Sequence, residues 1–309
     1  MNFTVVIALI VKNIIYGLSI FFTGSLTKNI DVFDILALRF LLSAVVLFIL
    51  KTVGILKIKT GVRDLFKKST LHRKELILTG IFEPVLYMFF ETMGVSMTTG
   101  ITAGIILSMA PIFSCIFEGI LLKEKSTFLQ KIFLLIGIIG VIYIGVNMNT
   151  ADGKDTLSGI IFMFSAVISG CLYNVFSRKS SKSFGSLDIT YITCIEGTVI
   201  FNLINVVRHL INGDIFNYFT PYFNVQNIIG FVYLSVISTI FAVLLQNFSL
   251  SKVKTSSAAA FGGISTLVTI AVGILFNNET IFMYQIIGTA LIFIRMIGVT
   301  VIDMKKAAK

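Results

Sequence analysis

Ten stretches of about twenty apolar residues, set apart by short charged clusters, decide what this chain can become. A helix rises about 1.5 Å per residue, so about twenty apolar residues span a ~30 Å hydrocarbon layer. A soluble core helix rarely needs a run that long. The stretches fall at roughly 3–24, 34–53, 75–94, 99–122, 128–147, 157–177, 187–208, 226–247, 254–276 and 283–302. Backbone N–H and C=O groups must pair within the segment in lipid, which forces helices. Ten-residue segments of alternating polarity, the mark of a membrane β-barrel, are missing. Charged residues make up 13% of the 309, against about 25% in an ordinary globular chain. The expected fold class is therefore an all-α integral membrane protein with ten transmembrane helices.

The formal net charge of +10 points to nucleic acid only until its placement is read. With the N-terminus in the cytoplasm, 19 lysines and arginines fall on that side. Eight of them lie between Lys51 and Lys74. Only Lys28, Lys154 and Arg208 fall in outer loops, and Lys12, Arg39 and Arg295 lie inside spans. Positive residues concentrate on the cytoplasmic side of membrane proteins, so no nucleic-acid partner is expected. An even number of spans then puts both termini in the cytoplasm of a multi-pass plasma-membrane protein. The first apolar run lacks a basic leader and a small-residue cleavage site, and reads as the first span. The segment 51–74 has room for one short interfacial helix but not for a catalytic domain. Cys115, Cys171 and Cys194 all lie in apolar runs and read as small packing residues.

The two halves of the chain align weakly at an offset near 155 residues. Lys123-Glu124-Lys125 with Gln130 answers to Asn278-Glu279-Thr280 with Gln285, and Thr102-Ala103-Gly104 to Ser257-Ala258-Ala259. Five spans per half is odd, so the second half is inverted, and inverted repeats with a site between them are a transporter architecture. Chance matching of apolar segments is the competing explanation. The same residues carry a resemblance. AGIILSMAPIFSCIFEGILLKEKSTFLQ, from Ala103 to Gln130, is similar to the EamA signature of the drug/metabolite transporter superfamily. ILALRF, from Ile35, and EPVLYMFFETMGVSMTTG, from Glu83, resemble further segments of it. The chain departs from the pattern at Thr266, at Arg295 and at Tyr16-Gly17. The resemblance implies two EamA repeats, 1–150 and 151–309, and a ten-helix exporter of small metabolites, often amino acids, working without ATP.

An ionised side chain at the bilayer centre costs roughly 2.5–3.5 kcal/mol on insertion scales, so it usually faces a partner or a wet cavity. Counting residues into each span puts Lys12, Glu83, Glu196 and Arg295 within about a turn of the midplane. Lys12 and Glu83 are the first candidate pair, as a solute site or as a structural lock. Glu83, Tyr87 and Glu91 follow an i, i+4, i+8 spacing and share one stripe, suited to an amine or a proton. Asn13 and Tyr16 on the first span, and Tyr173 and Asn174 on the sixth, can hydrogen-bond a zwitterion. Arg39 and Glu91 match in depth near the outer surface, as a gate or a clasp. Glu118 lies near the cytoplasmic end of the fourth span and is expected to snorkel to the interface. Pro84 and Pro111 each remove an intrahelical bond and mark helix breaks or hinges.

These features favour a secondary transporter exporting a small solute such as an amino acid or amine, with the proton as a candidate coupling ion. Uptake or exchange of a sugar or nucleotide-sugar, and a non-transporting scaffold or receptor, stay open as alternatives. No His-Glu-x-x-His, Gly-rich phosphate loop or intramembrane Ser-His arrangement is present, so neither an enzyme nor a cofactor or metal is expected. The partners are the solute and membrane lipid, and the oligomeric state stays open.

Overall fold

The structure is a computed structural model that describes residues 3–56, 58, 70–123, 155–277 and 282–307, with isolated positions between 128 and 143. Most of the fifth span, half of the 51–74 segment, and the Glu124, Gln130 and Asn278–Thr280 motif residues lie outside the described residues. Everything regular among those described is helical. Eight helical stretches are long and apolar enough to cross a membrane: Phe3–Leu26, Val32–Thr52, Arg73–Ser96, Gly100–Leu121, Leu157–Ser180, Ser186–Asn212, Asn227–Leu250 and Thr255–Asn277. A further helix, Met283–Ala307, occupies the tenth position. The chain is a multi-pass helical membrane protein.

The first two spans are the continuous helices α1 (Phe3–Leu26) and α2 (Val32–Thr52). The Asp31 carboxylate begins α2 by accepting from Phe33 N at 2.8 Å, filling one of the amide donors a helix start leaves unpaired. The third span is divided. α3 (Thr70–Gly80) passes into a π-helical stretch, Ile81–Leu86, and then α4 (Tyr87–Ser96). Glu83 leaves helical geometry (φ −147°, ψ 118°) just before Pro84, which has no N–H to give.

The fourth span breaks as well, between α5 (Gly100–Leu107) and α6 (Ala110–Leu121). Pro111 sits in the first turn of α6, where its missing N–H costs nothing. The thiol of Cys171 donates to Ala110 O at 3.1 Å at this break, a bond beyond the packing role expected of it.

α7 (Leu157–Ser180) and α8 (Ser186–Asn212) are continuous, and α8 ends on Gly213 in the left-handed conformation at φ +73°. The eighth span repeats the plan of the third: α9 (Val225–Val232), a π-helical stretch Tyr233–Ala242, then α10 (Val243–Leu250). The ninth repeats the plan of the fourth: α11 (Thr255–Ala260), a break at Phe261, then α12 (Gly262–Asn277). Met283–Ala307 is α13.

Small residues let these helices approach closely, as is usual in membranes. A Cβ on Gly17 would stand 2.6 Å from Val268 Cβ and 2.7 Å from Ser265 O, so α1 and α12 touch there. Thr269 Oγ1 donates to Gly17 O at 3.1 Å, and Thr266 Oγ1 to Gly104 O at 3.1 Å. The broken ninth span is thus stapled to the first and the fourth.

Candidate functional site

A cavity of about 100 Å³ lies among α1, α4, α7, α10 and the two broken spans. Lys12, Asn13 and Tyr16 line it from α1. Glu83 lines it from the π-helical stretch of the third span, with Tyr87 and Glu91 from α4. Asn174 comes from α7. The Glu83-Tyr87-Glu91 stripe holds despite the π-helical stretch, and Tyr87 OH donates to Glu91 Oε1 at 2.7 Å. The breaks in the fourth and ninth spans open here too, placing Leu107, Ala110, Ala259, Gly262 and Ser265 on the wall.

Lys12 and Glu83 are 6% and 7% exposed. No ion pair joins them among the described residues. The Lys12 ammonium stands 5.2 Å from the centre of the Tyr16 ring. The structure therefore brings the expected pair to one chamber without joining them directly. The Tyr16 hydroxyl is buried with no hydrogen-bond partner among the described residues.

Sequence reasoning passed over Gln246. It reaches the cavity from α10, donates through Nε2 to Asn174 Oδ1 at 2.5 Å, and keeps Oε1 buried with no partner among the described residues. Attention to charged residues hid it, although its 155-residue offset from Glu91 was available.

Other expectations need correction. Glu196 is at the expected depth on α8 but not at this cavity. Its carboxylate covers Gly80, and its Oε2 is buried without a partner among the described residues. Depth along a helix says nothing of direction around it, and no residue of α8 borders the chamber. Arg39 and Glu91 form no ion pair among the described residues. Arg39 is 1% exposed and turns to the π-helical stretch of the eighth span. There Nε donates to Thr239 Oγ1 at 2.7 Å and Nη2 to Ser238 Oγ at 3.2 Å.

Glu118 does not snorkel. It is 4% exposed, pairs with Arg178 Nη1 at 2.8 Å and accepts from the amides of Thr255 and Ser256. Tyr173 turns from the chamber to donate to Asn247 Oδ1 at 2.6 Å. Arg295 lies on α13, but its side chain is outside the described residues.

Two more spaces lie near the chamber. A pocket of about 10 Å³, close to the least that holds one water, sits behind Glu83 and is bordered by Thr190, Thr193 and Thr239. A cavity of about 470 Å³ lies toward the face opposite the N-terminus, with Ile20, Val95 and Thr269 in its lining. Each of these is one helical turn beyond a residue of the chamber wall: Tyr16, Glu91 and Ser265.

Apolar spanning helices folded around a small chamber lined by a lysine and two carboxyl side chains define a polytopic membrane protein with a buried polar site. Comparison with known proteins narrows the class. The EamA-like transporter family model matches residues 3–146 and again 157–301, and the chain belongs to that family. It is 30% identical to the uncharacterized transporter YcxC of Bacillus subtilis (strain 168), over 98% of this chain and 94% of that one. An uncharacterized transporter of Archaeoglobus fulgidus is 22% identical over 74% of this chain and 76% of its own. One solved crystal structure, 13% identical, superposes over 99% of both chains with a TM-score of 0.68 and shares the fold.

Proposed function

We propose that this chain is a ten-span secondary transporter, built from two inverted halves, 1–150 and 151–309. In this reading it exports a small zwitterionic solute such as an amino acid across the plasma membrane by alternating access. The observation that carries the reading is Lys12 and Glu83 in one small chamber, with no ion pair to either among the described residues. A carboxylate on the cargo would meet the Lys12 ammonium and the Tyr16 hydroxyl. An amine would meet Glu83, Glu91 and the open Gln246 Oε1. A charge moved out of water into lipid-depth surroundings needs such complements, because an unpaired one is costly there.

Size separates the alternatives. The chamber offers about 100 Å³. Drug-sized ligands occupy sites of about 300–1,000 Å³. A nucleotide-sugar is far too large for the chamber in this state, and its phosphates would meet two carboxylates. Glu83 borders both the chamber and the water-sized pocket, and is the group we assign to proton exchange. The lysine and arginine distribution supports cytoplasmic termini.

Purified protein in proteoliposomes, offered labelled amino acids, amines and sugars with and without a pH gradient, tests the assignment. Flux of small amino acids that is lost on substituting Lys12 or Glu83 supports it. Flux of nucleotide-sugars, or no flux of any zwitterion, overturns it.

A further inference from the structure

Two carboxylates outside the chamber make contacts of the same kind on opposite faces of the molecule. Thr99 is the residue just before the helix of the fourth span and Thr255 is the first helical residue of the ninth, within one position of the 155-residue offset between the halves. On the face opposite the N-terminus, Asp155 Oδ1 accepts from Thr99 N at 2.6 Å and Oδ2 from Thr102 Oγ1 at 2.8 Å. On the N-terminal face, Glu118 Oε1 accepts from Thr255 N at 3.0 Å and Oε2 from Ser256 N at 3.3 Å, with Arg178 Nη1 at 2.8 Å. Each carboxylate comes from the other half of the chain from the helix it caps. Each caps the leading turn of a span that breaks at the chamber.

We propose that Glu118 and Asp155 are paired latches, one per face, and that the chamber opens to a face when that face's latch lets go. Position argues for this. Ser256 lies one turn beyond the chamber residue Ala259, and Glu118 two turns beyond Ala110. Thr99 and Thr156 line the larger cavity on the opposite side. To admit solute from either face, the leading half of a broken span must swing off its neighbour, and the cap is what holds it. A carboxylate at a helix start is also favoured by the partial positive charge there, and charge-assisted hydrogen bonds are about twice as strong as neutral ones. Both latches are closed in this structure. The N-terminal-face latch also holds Arg178, so it is the stronger of the two.

The inference rests on the transporter reading of the chamber, so its test reads opening rather than flux. Gly262 lines the chamber, and a Cβ there meets nothing within 4 Å. In a background lacking Cys115, Cys171 and Cys194, Gly262→Cys reports access to a small membrane-impermeant methanethiosulfonate. Everted and right-side-out vesicles present the two faces separately. Glu118→Ala is expected to speed labelling from the N-terminal face by about tenfold or more, the size of one lost charged hydrogen bond, without speeding it from the other. Asp155→Ala is expected to do the reverse. Arg178→Gln, which leaves both amide caps in place, is expected to give a smaller change with the Glu118 sidedness, and serves if Glu118→Ala does not fold. One-sided changes support the latches even in a preparation that moves none of the solutes tried. Equal acceleration from both faces by every variant, or no change from either face, overturns them.

Discussion

Lys12 sits nearly ten residues into a membrane helix with no carboxylate in contact among the described residues, and in the proposed reading its charge meets the arriving cargo. A charged hydrogen bond contributes about 1.5–3 kcal/mol, which is roughly 10–150-fold in an equilibrium constant. Lys12→Gln should therefore raise the KM for an amino acid by about that factor. It should leave an amine without a carboxylate unimpaired, as the concentration dependence of proteoliposome uptake will show. Glu83→Gln removes the one carboxylate that touches both the chamber and the water-sized pocket behind it. It should abolish acceleration by a pH gradient while cargo-for-cargo exchange persists. Full gradient-driven transport in that variant would remove Glu83 from coupling. Much of this site was legible as residues, because an ionisable or amide side chain stands out against twenty apolar neighbours. Azimuth and partners were not: Glu196 matched Glu83 in depth yet faces Gly80, and Arg39 matched Glu91 yet bonds Thr239.

Between helices, stability depends on small residues that admit a neighbouring backbone. At Gly17 an added methyl group would collide with the Ser265 carbonyl as well as Val268. Backbone cannot rotate away as a side chain can, so Gly17→Ala should cost about 1–3 kcal/mol, the usual size of overpacking. A lower unfolding midpoint in detergent, measured by scanning fluorimetry, checks this, and an unchanged midpoint would place the α1–α12 contact elsewhere. The apolar runs announced the spans to within a few residues: 157–177 is helical over Leu157–Ser180, and 34–53 over Val32–Thr52. Proline announced the irregular stretch around Glu83. The matching π-helical stretch, Tyr233–Ala242, contains no proline and no glycine, and only tertiary partners such as Arg39 on Thr239 distinguish it from ordinary helix. The Glu118 cap was hidden for a related reason, since its acceptors' partners lie 137 and 138 residues away.

For the molecule as a whole, the charge distribution makes a prediction of sidedness. Reporter enzymes active only outside the cytoplasm should work when fused after Lys28 and fail when fused after Gly54 or at the C-terminus. An active fusion after Gly54 would invert the topology. The family matches in both halves, and the same sequence of π-helical stretch and helix break in each, give the protein two ways of bending around one chamber. In the proposed transporter, the stacking of the two cavities would set the length of the stroke. Their walls are successive turns of the same helices, so cargo leaving the chamber toward the larger cavity has about one helical pitch, ~5.4 Å, to travel. That is a small part of a ~30 Å membrane. Besides release of the Asp155 latch, exit in that direction would ask for the side-chain layer of Ile20, Val95 and Thr269 to part, and widening or narrowing those three positions would set the speed of release without altering what is bound.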